Sequence, residues 1–186
     1  MIALSTILLI TILGYPCNMG FKKTSDIIAI SFGIDESAAN TYTQETVALQ
    51  LDVLNNEIFV VLAVDLNNAT PDLVPGATTE TRSTVSSTSA TAIQSLANTN
   101  VLAEASLAIV ADAGAGAAVS FSRAAEESPG TTLDYIGLIA TNNFFVAVKG
   151  ANNLGARSCN GRVWGYRARA DATTYAALVQ SEVLSA

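Results

Sequence analysis

The sequence predicts a mainly β protein: an antiparallel β-sandwich, jelly-roll-like, with a short C-terminal helix. Three observations carry that prediction. Apolar and polar residues alternate with period two in several runs, turn-forming Asn, Pro and Gly separate those runs, and a clear helical spacing comes only after Asp171. A chain of 186 residues suits one domain that buries roughly two-thirds of its unfolded surface. The expected organisation is an apolar N-terminal segment or arm over residues 1–20 and a single β-sandwich domain over residues 21–186.

Residues 1–13 are apolar apart from three hydroxyls and end at Gly14-Tyr15-Pro16. The segment is shorter than the roughly 20 residues a membrane-crossing helix needs. It has the length of a signal-peptide core, yet lacks a positive start, and Gly-Tyr-Pro-Cys makes a poor cleavage site. A start at Met19 is a further reading, and the stretch from Met19 to Thr24 then meets the loose N-myristoylation pattern. A buried strand or arm is the plainer alternative, and contact with a membrane stays open.

In the run Thr46-Val47-Ala48-Leu49-Gln50-Leu51-Asp52-Val53, the odd positions are apolar, which marks a half-buried strand. Asn55-Asn56 then offers a tight turn into a nearly continuous apolar run over residues 58–66, the pattern of a strand covered on both faces. The two runs are expected to pair as a hairpin. The Ser/Thr-rich stretch 78–91 reads as a polar outer strand, with a disordered linker or a glycosylated stalk as alternatives. Residues 98–118 fit either a helix or a strand leading into a glycine loop. A second hairpin is expected from the run 133–140, a turn at Thr141-Asn142-Asn143 and the run 144–149. Residues 162–169 form a basic strand, after which Asp171 caps a helix with Ala172, Tyr175, Ala176, Val179 and Val183 along its core face.

Composition narrows the chemistry. The chain has no histidine, which removes histidine-based catalysis and the commonest zinc ligand. Asp35-Glu36 and Glu126-Glu127 are adjacent carboxylates beside small or turn residues, where solvated charge is routine. The run 107–116 resembles a strand entering a G-x-G turn, but Val119 stands where a dinucleotide fingerprint needs a small residue. Asn68-Ala69-Thr70 meets the glycosylation rule with Pro71 directly after it. Cys17 and Cys159 read as buried free thiols rather than a disulfide framework. No catalytic residue, metal site or cofactor is expected.

Charge supplies the strongest hint of a partner. Residues 1–148 carry a balance of −10 and residues 149–186 one of +3, with four arginines between 157 and 169. Arg157, Arg162, Arg167 and Arg169 are the expected contact with another subunit or a polyanion, an acidic region such as Asp35-Glu36 of a second copy being the first choice. A plainly solvated face and a nucleic-acid contact are the other two readings. Period-two alternation puts Trp164, Tyr166 and Ala168 on one face and Val163, Arg167 and Arg169 on the other. It assigns Trp164 and Tyr166 inward as core anchors and the arginines outward. Only 13% of residues are charged, so part of the surface is expected to be covered by copies of the chain or by lipid.

In these features, the two Asn-turn runs, the loop Gly150-Ala151-Asn152-Asn153 and the arginine strand closed by a helix, the chain resembles small single-domain capsid or capsid-associated structural proteins of bacteriophages. That resemblance spans roughly residues 21–186 and rests on texture rather than on a diagnostic motif. It implies a non-enzymatic subunit of a virion shell, packed in many copies against itself, with other virion proteins as further partners and no cofactor. A pilus or extracellular filament subunit is the alternative. A carbohydrate-binding β-sandwich using Trp164 and the tyrosines as sugar platforms is the alternative of another class.

Overall fold

A computed structural model describes residues 20–111, 118–123 and 133–184, the middle segment by its backbone alone. The chain forms two antiparallel sheets and a C-terminal helix. Its strands are β1 (Phe21–Lys23), β2 (Ile28–Asp35), β3 (Thr43–Ala48), β4 (Glu57–Asn68), β5 (Thr79–Ser86), β6 (Val101–Ala111), β7 (Ala118–Arg123), β8 (Gly137–Ile139), β9 (Asn143–Ala151) and β10 (Ser158–Ala170), followed by α1 (Ala172–Leu184). Sheet one runs β1/β2–β10–β4–β8, with β1 and β2 sharing one side of β10; sheet two runs β3–β9–β5–β6–β7.

The pairing is nested. β5 pairs with β6, β4 with β8, β3 with β9 and β2 with β10. A long antiparallel ribbon folded over on itself has this order, which is the two-Greek-key jelly roll. β7 adds to the β6 edge and β1 prolongs the β2 edge. The predicted sandwich is therefore the observed fold.

Both expected hairpins are corrected. β3 lies in sheet two and β4 in sheet one, and β8 and β9 are divided in the same way. The connection over residues 49–56 crosses the end of the sandwich, burying Leu49 and Leu51 on the way. Asn56 takes the expected left-handed conformation, with φ 54°, but closes a 3-10 turn at Val53–Asn55 rather than a hairpin. Residues 98–118 resolve in part as strand β6. The Ser/Thr stretch is a strand, β5, but a central one between β9 and β6, with Thr79, Thr81 and Ser83 fully buried. Two of these hydroxyls find partners nearby, Thr79 Oγ1 donating to Asp72 O at 2.7 Å and Ser83 Oγ to Asn68 Oδ1 at 2.6 Å, while Thr81 Oγ1 is buried without one among the described residues.

Two apolar layers hold the fold. Phe59, Val61, Val85, Phe144, Val146, Cys159 and Val163 pack between the sheets. Ile58, Val60, Ala168 and Ala170 form a second layer on the outer face of sheet one, joined by Phe21, Tyr166, Tyr175, Leu178 and Val179. This explains why residues 58–66 are apolar at nearly every position: β4 is covered on both faces. A Cβ at Gly165 would run into the Val60 carbonyl and the Phe59 ring, so glycine allows β10 to lie against β4 at its bulge.

Asp171 caps α1 as expected, accepting from Thr174 N at 2.8 Å, and that bond holds its carboxyl below the ordinary range. The core face differs from the expected stripe. Tyr175, Leu178, Val179 and Glu182 turn inward, whereas Ala172, Ala176 and Val183 are exposed. The helix is rotated so that Glu182 Oε1 accepts the Ala140 N–H at 3.0 Å. Among the described residues, no helix is long and apolar enough to cross a membrane. The expectations for residues 1–13, Cys17, a start at Met19, the Gly114–Gly116 turn and Glu126-Glu127 lie outside the described residues.

Candidate interaction surface

Strand β10 carries the arginines, and its geometry separates them. Twelve residues of extended chain place Arg157 about 40 Å from Arg169, at opposite ends of the sandwich. What is one cluster in sequence is three places in space: Arg157 at one end, Arg162 midway, and Arg167 with Arg169 at the other end.

At the first end, Arg157 closes a lock between three loops. Its Nη2 meets Asp72 Oδ2 at 3.2 Å, and its Nη1 donates to Thr70 O at 3.0 Å. Glu36, 5% exposed, accepts from Gly150 N at 2.6 Å and from Arg157 N at 2.8 Å. Asn153 and Asn40 exchange backbone and amide bonds, and Asp72 N donates to Asn153 Oδ1 at 2.9 Å. The loops after β2, β4 and β9 are thereby tied into one unit. Glu36 is therefore committed within its own chain and is not an acidic patch open to a second copy; Asp35 beside it is exposed.

At the second end, Arg167 and Arg169 extend past the core. Arg167 Nη2 donates to Leu49 O at 3.0 Å, and its Nη1 lies 3.5 Å from Glu57 Oε2. Arg169 is exposed and bonds Asn55 through the backbone carbonyl and the side-chain amide. An open cleft of about 280 Å³ lies between Thr24, Asp52, Asn55, Glu57 and Arg169. Arg162, midway, is exposed, with its Nε 3.2 Å from Ser31 Oγ and its guanidinium 5.7 Å above the Trp164 ring.

The faces of β10 are grouped as the alternation predicts, but the inter-sheet face is the one that carries Val163; of the two expected anchors, Tyr166 packs into an apolar layer and Trp164 into neither. Val163 and Cys159 point into the inter-sheet core, and Trp164 lies half-buried outside both apolar layers. Tyr166 packs on the outer face of sheet one, beneath Lys23 Nζ at 5.0 Å. The reason is the second apolar layer: a face covered by α1 attracts aromatics as an inter-sheet face does. Burial pushes the Tyr166 hydroxyl up, with Asp134 adding to the shift.

Other chemistry is narrowed further. Cys159 is a buried free thiol, raised above its ordinary pKa by that burial. The side chain of Asn68 donates to Thr81 O and Ala105 O, so the glycosylation triplet holds its amide inside the sandwich. Among the described residues, no three His, Cys, Asp or Glu side chains gather as metal ligands would.

Sequence reasoning missed the Glu36–Asn40–Asp72–Asn153 lock. The Asn152-Asn153 pair was its one visible signal, and it marked a turn rather than a network. Large exposed apolar residues frame both ends: Leu54 at 93% beside Arg169, with Leu73 at 66% and Leu154 at 79% over the lock.

No protein-family model matches the chain, and no curated protein matches it. Among solved structures, one from desmodium yellow mottle tymovirus is similar over 90% of this chain and 95% of that chain, at 14% identity and a TM-score of 0.30. A likeness that loose carries no argument about function, and the jelly-roll order stands on this chain's own strand pairing.

Proposed function

We propose that the chain is a non-enzymatic, self-assembling structural protein, a subunit of a virion shell such as that of a bacteriophage. The observation that carries this reading is the pairing of rigid loop ends with exposed apolar tips. Leu73 and Leu154 project from loops fixed by Glu36, Asn153 and Arg157, so presenting them to a neighbour costs little further ordering. The low charged fraction of 13% agrees with a surface that is partly covered in use. Jelly rolls serve as capsid domains and also as lectin domains, so the fold alone does not decide between them.

Negative-stain micrographs of the purified chain test the reading. The expected result is closed shells or ring-shaped capsomers. Fibres would support a filament subunit instead, and particles that stay small at high concentration contradict assembly. Carbohydrate binding is the second reading, favoured by the outward position of Trp164, which leaves an aromatic face beside Arg162. Sugar-dependent change in Trp164 fluorescence, lost in Trp164→Ala, would establish it.

A further inference from the structure

Among the described residues, the jelly roll leaves one long strand edge without the usual protection. Among the described residues, sheet two ends at β3, which carries Glu45, and at β7, which ends in Arg123; sheet one ends at β8, three residues long. Its other edge is β2, eight residues that, among the described residues, pair only with β10. From Ile28 to Ile34, β2 reads Ile-Ala-Ile-Ser-Phe-Gly-Ile, with no charge and no proline. Natural edges of this length are normally blunted by Lys, Pro or a bulge, because open N–H and C=O groups recruit another strand.

We propose that the β2 edge pairs antiparallel with β2 of a second copy, joining sheet one of the two molecules across a two-fold axis. Charge along the edge fits that occupant. β1 continues the same edge beyond a bulge over residues 24–27, with Lys23 opposite Ala168 where Ile28 stands opposite Gly165. Lys22 and Lys23 therefore sit at one end and Asp35 at the other. On this ladder a two-fold at Ile30 sets Lys23 of each copy opposite Asp35 of the other, on the same outer face, and Ala29 opposite Ser31. The outward residues Ala29, Ser31 and Gly33 are small and exposed, so nothing bulky holds the strands apart. Asp26, in the bulge, is the one like charge near this path, and the two lysines outnumber it. A contact between identical edges of this kind is isologous.

The inference rests on the assembly reading but fails separately from it. Sedimentation of the full chain compares wild type, Ala29→Lys, Lys23→Glu, Asp35→Lys and the Lys23→Glu/Asp35→Lys double variant, with circular dichroism confirming the fold. Ala29→Lys should release monomers. Each single charge reversal should weaken the two-fold contact about tenfold, since two ion pairs are lost per dimer, and the double variant should restore it. Ala29→Lys associating like wild type, or reversals that do not compensate, overturns edge pairing and leaves assembly standing. A wild type that stays monomeric overturns both. If Ala29→Lys fails to fold, the compensating pair decides alone.

Discussion

The two ends of β10 carry the same residue type and treat it differently. At Arg157 the guanidinium pairs with Asp72 and the Thr70 carbonyl, buried Glu36 takes the Arg157 and Gly150 backbone N–H groups, and Asn40 and Asn153 bond each other across the same loops. At Arg167 and Arg169 the bonds go mainly to backbone carbonyls and an exposed asparagine, beside an open cleft. The first end has spent its charge on rigidity, and the second keeps charge at the surface. A run of like charges in sequence is therefore not one electrostatic feature, because strand geometry can carry its members to opposite poles of a fold.

Removing the lock should produce the largest effect. Glu36→Ala leaves the Gly150 and Arg157 amides unpartnered in a buried site and should cost about 3 kcal/mol in urea unfolding. At the other end, Arg167→Ala should cost about 1 kcal/mol, since it frees the Leu49 carbonyl and one half-exposed ion pair. Arg169→Ala should lie within about 0.5 kcal/mol of wild type, as an exposed side chain bonded to another exposed one. Equal losses at the two ends would break the contrast.

A second buried carboxylate sharpens it. Glu182, 7% exposed, accepts from Ala140 N at Oε1, while its Oε2 meets no well-formed hydrogen bond among the described residues. Burial pushes its carboxyl above the ordinary range, with bonding from Ala140 and Thr141 opposing that only in part. The fold thus favours the protonated form, a contribution fully present below the unfolded value of about 4.3 and lost as pH rises through the raised folded value. Glu182→Gln keeps the acceptor for Ala140 and removes the charge. It should stabilise the protein by about 1 kcal/mol at pH 7, and the gain should vanish in acid. Glu36→Gln should instead destabilise, because both Glu36 oxygens are already in use.

Much of the fold was legible in the sequence, and its failures share a cause. Period two identified the strands and the two faces of β10. It does not say which sheet a strand joins, so runs on either side of Asn55-Asn56 looked like a hairpin when they belong to opposite sheets. The eight residues from 49 to 56 were the neglected clue, too many for a tight turn and apolar enough at Leu49 and Leu51 to cap the core. Nor does alternation say which face is inside when both are covered, and so Trp164 was placed inward. The arginine cluster was legible as charge and illegible as position. The uncharged run from Ile28 to Ile34 was visible throughout, and its meaning depended on knowing that β2 forms an edge.

Sedimentation velocity of the purified chain across a concentration series, at low and high salt, tests assembly most directly. Species far larger than the 19.2 kDa chain are expected at low salt, shrinking as salt screens the edge charges. A single 19.2 kDa species at every concentration would contradict assembly.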